Sequence, residues 1–161
     1  MDKNRGIGNK NTIPWKLSQD MKYFRNMTIG QGNNAIVMGK NTFLSINRVL
    51  PKRTNYVLSN SLTNVPNSLI LVKTFDKLLL SLQDHKYDDI WIIGGQRMYN
   101  DFIKHKLATE IYITYIDAEY ECDTFFPSIT DDYVLSSTNT IIDNSITLHF
   151  KKYIYTSEKT N

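Results

Sequence analysis

The sequence predicts an α/β domain: a mixed, mostly parallel central sheet flanked by helices, with an antiparallel hairpin at the C-terminal end. Three observations carry this expectation. Short apolar runs bounded by turn residues recur up to Ile116, as strands buried on both faces of a sheet do. Helical patterns stand between several of them, so strands and helices alternate. Beyond Asp117 the spacing changes to two strand-like segments around a single turn.

The elements follow in chain order. The start, Met1-Asp2-Lys3-Asn4-Arg5, is polar. Pro14 breaks regular structure, Ser18 is a candidate cap, and Leu17, Met21, Phe24 and Met27 recur at helical spacing on one face. Ala35 to Met38 is the first buried strand; Gly39 turns the chain and a helix starts directly after it. Strands are expected at Tyr56 to Leu58 and Leu69 to Val72, then a helix over Phe75 to Leu82 behind the cap-like Thr74. Ile90 to Ile93 is a further strand, Gly94-Gly95 a turn and Met98 to Ile103 a helix, followed by the strand Ile111 to Ile116. Tyr133 to Ser137 and Ile146 to Tyr155 form the hairpin around the Asp143-Asn144 turn. The domain is expected to span residues 1-156, leaving 157-161 as a polar tail.

At 161 residues the chain is long enough for one domain to bury a core without metal or disulfide staples. A content of 41% hydrophobic and 22% charged residues excludes disorder on a large scale. The net charge of +3 comes from 19 basic and 16 acidic residues with no run of Lys or Arg. That argues against nucleic acid as a partner and suits anionic small ligands. Cys122 is the only cysteine, which points to a reducing compartment. No stretch approaches the roughly 18 apolar residues of a membrane span, and the start lacks the apolar part of a signal peptide. A cytoplasmic protein without a membrane partner is expected. His85, His105 and His149 show no ligand spacing, so no metal is expected.

Four segments carry candidate chemistry. Asp20 lies at the edge of the apolar stripe of the first helix, where a partly desolvated carboxylate can bind an amidine-like ring edge or help to protonate a substrate. The alternative is a first-turn Asp that complements the helix dipole. Gly39-Lys40-Asn41-Thr42 joins a strand end to a helix start, and Gly94-Gly95-Gln96-Arg97-Met98-Tyr99 repeats the arrangement. Two such turns make a cradle for a pyrophosphate; singly, each is an ordinary strand-to-helix turn. Gly-x-Gly-x-x-Gly is absent, which disfavours a doubly wound dehydrogenase. Leu50 and Arg53 sit on a loop entering a strand, where Arg53 either grips a carboxylate bidentately or is a solvated cation. Ser59-Asn60-Ser61 either accepts a phosphate or is a plain polar turn.

From about Arg5 to about Tyr155 the chain resembles dihydrofolate reductases. The resemblance is carried in order by Gly6-Ile7-Gly8, Ile13-Pro14-Trp15 with Asp20 and Phe24, Met38-Gly39-Lys40-x-Thr42, Ser45-Ile46, Leu50-Pro51-x-Arg53-x-Asn55, Ile93-Gly94-Gly95 with Tyr99, Tyr112-Ile113-Thr114, and Asp123-Thr124-x-Phe126-Pro127. It implies a dihydrofolate-reductase-like fold and reduction of dihydrofolate by NADPH, with hydride passing to pterin C6 and a proton reaching N5. Asp20 would hold the pterin, Thr114 would bond both, and Trp15 would order water beside them. Phe24, Ile46, Leu50 and Ile93 would line the substrate site, and Arg53 would clamp the glutamate carboxylate. For the cofactor, Lys40, Thr42, Gly95, Gln96 and Arg97 would surround the pyrophosphate and Ile13 and Tyr99 would border the nicotinamide, with Ile7, Gly94 and Met98 as further cofactor-binding residues. Lys40, Ser59 and Asn60 would read the 2′-phosphate. The stretch Asp20 to Arg25 is similar to protist and giant-virus members, some of which have thymidylate synthase as a fused or associated partner.

Family members usually begin with an apolar strand in the middle of the sheet, and Met1 to Asn4 matches the turn that follows it. Two unpaired sheet edges are therefore expected. Three readings stay open: an active reductase; a pyrimidine reductase of riboflavin synthesis, which fits poorly with Asp20 and Arg53; and a folate- or nucleotide-binding relic without catalysis, motivated by the absent strand.

Overall fold

The computed structural model describes residues 1–156; the tail expected at 157–161 lies outside the described residues. In chain order the elements are β1 (Gly6–Gly8), α1 (Ser18–Ile29), β2 (Asn34–Gly39), α2 (Lys40–Ile46), β3 (Arg53–Leu58), β4 (Leu69–Val72) and α3 (Phe75–Gln83), then β5 (Ile90–Ile92), α4 (Gln96–Lys104), β6 (Glu110–Ile116), β7 (Thr124–Phe125), β8 (Tyr133–Asp143) and β9 (Ile146–Tyr155). The described residues form two compact units, one of Lys22–Tyr99 and one of Met1–Met21 with the described residues from Asn100 onward.

The unit Lys22–Tyr99 holds a four-stranded, all-parallel sheet in the order β4-β3-β2-β5. Strand β2 is buried from Asn34 to Met38, which is why Ala35 to Met38 is an unbroken apolar run rather than an alternation. Ile36, Met38, Phe43, Leu50, Val57 and Leu69 form one core cluster. Helix α3 starts as expected, with the Lys77 amide donating to Thr74 Oγ1 at 3.4 Å, and it buries Leu78 and Leu82. Helix α4 begins at Gln96, directly after the glycine turn and earlier than its apolar pattern suggests.

The other unit holds a three-stranded antiparallel sheet in the order β6-β9-β8, and a short antiparallel pair of β1 with β7. The C-terminal hairpin forms as expected, but β8 runs on to Asp143, well past Ser137. Its polar middle is exposed, so no apolar pattern marks it; the backbone ladder to β9 alone defines the strand. The left-handed turn residues are Asn144 (φ 51°) and Ser145 (φ 66°), which leaves Asp143 as the last residue of the strand.

Among the described residues β5 pairs with β2 alone and β9 is the one strand beside β6. Main-chain bonds of Met1 cover part of the β6 edge: its amino group donates to the Thr114 carbonyl at 2.6 Å, and the Ile116 amide donates to the Met1 carbonyl at 2.8 Å. Asp2 is polar in sequence yet fully buried. Its carboxylate accepts from the amides of Asn4 (2.9 Å), Gly6 (2.7 Å) and Tyr120 (3.0 Å), which compensates its desolvation.

Candidate active site

Asp20 stands in the first turn of α1 and is half-buried. The helix start is fixed by Leu17, 3% exposed, whose carbonyl accepts from the Met21 amide. Trp15 Nε1 donates to Asp20 Oδ2 at 3.4 Å, and the Trp15 ring tilts against Tyr120 with centroids 5.2 Å apart. These two expected site residues therefore meet directly. The cap of this helix is not Ser18, which lies inside it, but Asp143: its Oδ2 accepts the Gln19 amide at 2.9 Å and the Ser18 hydroxyl at 3.5 Å. Thr114 lies half-buried on β6 and uses its carbonyl to hold Met1.

The segment leading to Ile13 is built as a tight loop. Asn9 and Thr12 exchange main-chain bonds of 2.8 and 2.9 Å, with Lys10 and Asn11 left-handed between them (φ 49° and 61°). The Lys10 amide donates to Asp123 Oδ2 at 2.8 Å, and this bond, with that of Thr124, holds the Asp123 carboxyl below its ordinary range. Ile7 is half-buried on β1, whereas Ile13 is 55% exposed. Burial, then the charge of Asp2, pushes the Cys122 thiol up, so it stays protonated at neutral pH.

In the unit Lys22–Tyr99, Phe24, Ile46 and Ile93 pack against the core cluster that contains Leu50, so these four residues expected in the substrate site share one apolar cluster. Arg53 is anchored beside it: Nη1 donates to Thr28 Oγ1 at 2.8 Å and Nε to the Pro51 carbonyl at 3.0 Å. Burial, then the charges of Arg25 and Arg48, lowers its pKa from the ordinary arginine value. Such crowding of cations is relieved by an anion. Asn55 shapes this loop: its Oδ1 accepts the Leu50 amide at 2.9 Å, and its Nδ2 donates to the carbonyls of Leu50 and Arg53, each at 2.8 Å.

The two glycine turns are joined by the Gly39 amide, which donates to the Gly94 carbonyl at 2.8 Å. Gly94 has a φ of 113°, and the Gly94–Gly95 peptide is cis. A Cβ at Gly94 would stand 3.2 Å from the Tyr99 hydroxyl, and one at Gly95 would stand 3.4 Å from Thr42 Oγ1. The turns thus form a side-chain-free cradle flanked by Thr42, Met98 and Tyr99, which fits the close approach of a pyrophosphate to backbone amides. Burial pushes the Tyr99 phenol up to about 12, so it remains a neutral donor. Gln96 and Arg97 are exposed in the first turn of α4. Lys40 Nζ donates to Ser61 Oγ at 2.9 Å. The Ser59 hydroxyl is taken up by the amides of Ser61 (3.2 Å) and Leu62 (3.1 Å), while Asn60 is exposed. The polar group beside Lys40 is therefore Ser61, a residue of the same turn that its motif alone does not single out.

Among the described residues no group of His, Cys, Asp or Glu is arranged to hold a metal ion. No helix among them is long and apolar enough to cross a membrane.

The sequence profile described as dihydrofolate reductase matches residues 1–156. A dihydrofolate reductase of Aedes albopictus is 34% identical over 145 residues, covering 82% of this chain and 78% of the relative. A viral dihydrofolate reductase of Saimiriine herpesvirus 2 (strain 488) is 38% identical over 141 residues, covering 80% of this chain and 66% of the relative. A dihydrofolate reductase of Schistosoma mansoni is 31% identical over 176 aligned positions, covering 99% of this chain and 95% of the relative. With a family match over nearly its whole length, the chain belongs to the dihydrofolate reductase family.

Proposed function

We propose that this chain reduces dihydrofolate to tetrahydrofolate with NADPH. The observation that carries the proposal is the half-buried Asp20 carboxylate, held by Trp15 Nε1 in the first turn of a helix, in a chain of this family. Family membership also favours this reading over a pyrimidine reductase or a catalytically silent binding protein.

Each assigned residue has a task its surroundings suit. Asp20 accepts paired hydrogen bonds from the pterin's amidine-like edge and favours protonation at N5. Phe24, Ile46 and Leu50 supply apolar surface for the aminobenzoyl ring, Ile93 adds apolar surface to the substrate site, and the planar fork of Arg53 takes the glutamate carboxylate. Bound NADPH supplies the hydride. The glycine cradle offers its pyrophosphate backbone N–H groups, and Lys40 with Ser61 presents a cation and a hydroxyl to a 2′-phosphate. Ile13 and Pro14, on the exposed loop, shield the reacting carbons from water.

The test is cofactor oxidation with product analysis. NADPH consumption is expected to depend on dihydrofolate, to yield tetrahydrofolate, and to be slower with NADH at equal concentration. Oxidation driven instead by a ribityl-substituted aminopyrimidine, or none with either substrate, contradicts the proposal.

A further inference from the structure

We propose that Asp143, at the end of β8, is a positioning residue for Asp20; this role rests on the reading above, in which Asp20 holds the pterin. The first N–H groups of a helix have no partner within it and need acceptors from elsewhere. Helix α1 has none of its own, because the apolar Leu17 precedes it and Ser18 is already helical. Asp143 supplies the acceptor from 124 residues away, binding the Gln19 amide at 2.9 Å. Asp143 is buried, at 7% exposure, and the bond to the exposed Gln19 is part-buried, so the carboxylate has an oriented donor where hydration is reduced.

Gln19 is the immediate neighbour of Asp20, so this bond fixes the Ser18–Gln19 peptide in the same first turn that carries Asp20. Trp15 Nε1 constrains the carboxylate itself. Asp143 is in turn held by the sheet: it pairs with Ile146 across the turn, and β9 pairs Leu148 with Ile116 and Phe150 with Thr114 on β6. Asp20 and Thr114, both assigned to the pterin, thus take their positions from one hairpin. Asp143 needs no contact with substrate to act; displacing the first turn of α1 moves Asp20 out of register with the ring edge it must meet.

A double-mutant cycle separates this role from a general stabilising cap, because only positioning acts through Asp20. Two quantities are read on folded protein: the single-turnover hydride-transfer rate with NADPH and dihydrofolate saturating, and the dihydrofolate dissociation constant without cofactor. Asp143→Ala is expected to cost about tenfold in both, yet to change dihydrofolate binding less than about twofold in an Asp20→Asn background. Asp143→Asn keeps an acceptor oxygen and the side-chain volume, and should retain a rate within about threefold of the unsubstituted chain. Should Asp143→Ala not fold, Asp143→Ser enters the same cycle with the same expected dependence on Asp20. Equal losses with and without the Asp20 carboxylate, or no loss in the unsubstituted background, overturn the positioning role alone. Absence of dihydrofolate-dependent turnover in the unsubstituted chain overturns the functional reading and this role with it.

Discussion

Under the proposed function substrate recognition turns on Arg53 and Asp20, and their side chains are prepared differently. Arg53 has two donors already committed, to Thr28 and Pro51, which orients the rest of its fork. Arg53→Lys keeps the charge and loses the planar geometry. The expected result is a KM for dihydrofolate raised about tenfold with kcat nearly unchanged, as loss of a charge-assisted hydrogen bond predicts; steady-state kinetics at fixed NADPH checks it. Both residues are legible in sequence because short motifs surround them. Asp143 is not, since its partners Ser18 and Gln19 lie far away in the chain and no local pattern ties a hairpin turn to a helix start. Asp2 is hidden for the same reason: a polar start looks solvated until Gly6 and Tyr120 are seen to donate to its carboxylate.

At the scale of elements, two polar devices hold segments in place. The loop between α2 and β3 is tied by the fully buried Asn55, whose three bonds satisfy one donor and two acceptors of the main chain. Asn55→Ala leaves those groups buried without partners, and urea unfolding is expected to show a loss of about 2–4 kcal/mol. On the antiparallel sheet, Lys152 Nζ lies 2.6 Å from Glu110 Oε1, and the Tyr112 hydroxyl donates to Glu110 Oε2 at 2.7 Å. Lys152, with help from Tyr112 and against partial burial, holds the Glu110 carboxyl below its ordinary value of 4.5. A depressed carboxyl stabilises the fold above the unfolded-state value and loses that contribution as pH falls through its folded-state value. The pair is solvent-screened, so Glu110→Gln should cost only about 0.5 kcal/mol near neutral pH. That difference should vanish in acid below the depressed value, as paired melts across pH would record. Strands β2, β3 and β4 are readable as apolar runs because both faces of a parallel sheet are covered; β8 is not, because its polar middle is exposed.

For the whole molecule, the alternation of strands and helices and the final hairpin are legible because burial imposes a period on the sequence. The partition of strands into a parallel sheet and an antiparallel one is less so, since pairing depends on edges that a one-dimensional pattern does not record. Under the proposed function turnover requires every assigned residue at once, and Asp20 is its most exacting point. The decisive measurement is dihydrofolate-dependent NADPH oxidation by the chain and by its Asp20→Asn variant, with melting temperatures confirming that both are folded. A loss of about a hundredfold or more in kcat, with NADPH affinity unchanged, is the predicted result for a group that holds the pterin and promotes its protonation. Equal turnover by the two proteins would contradict it.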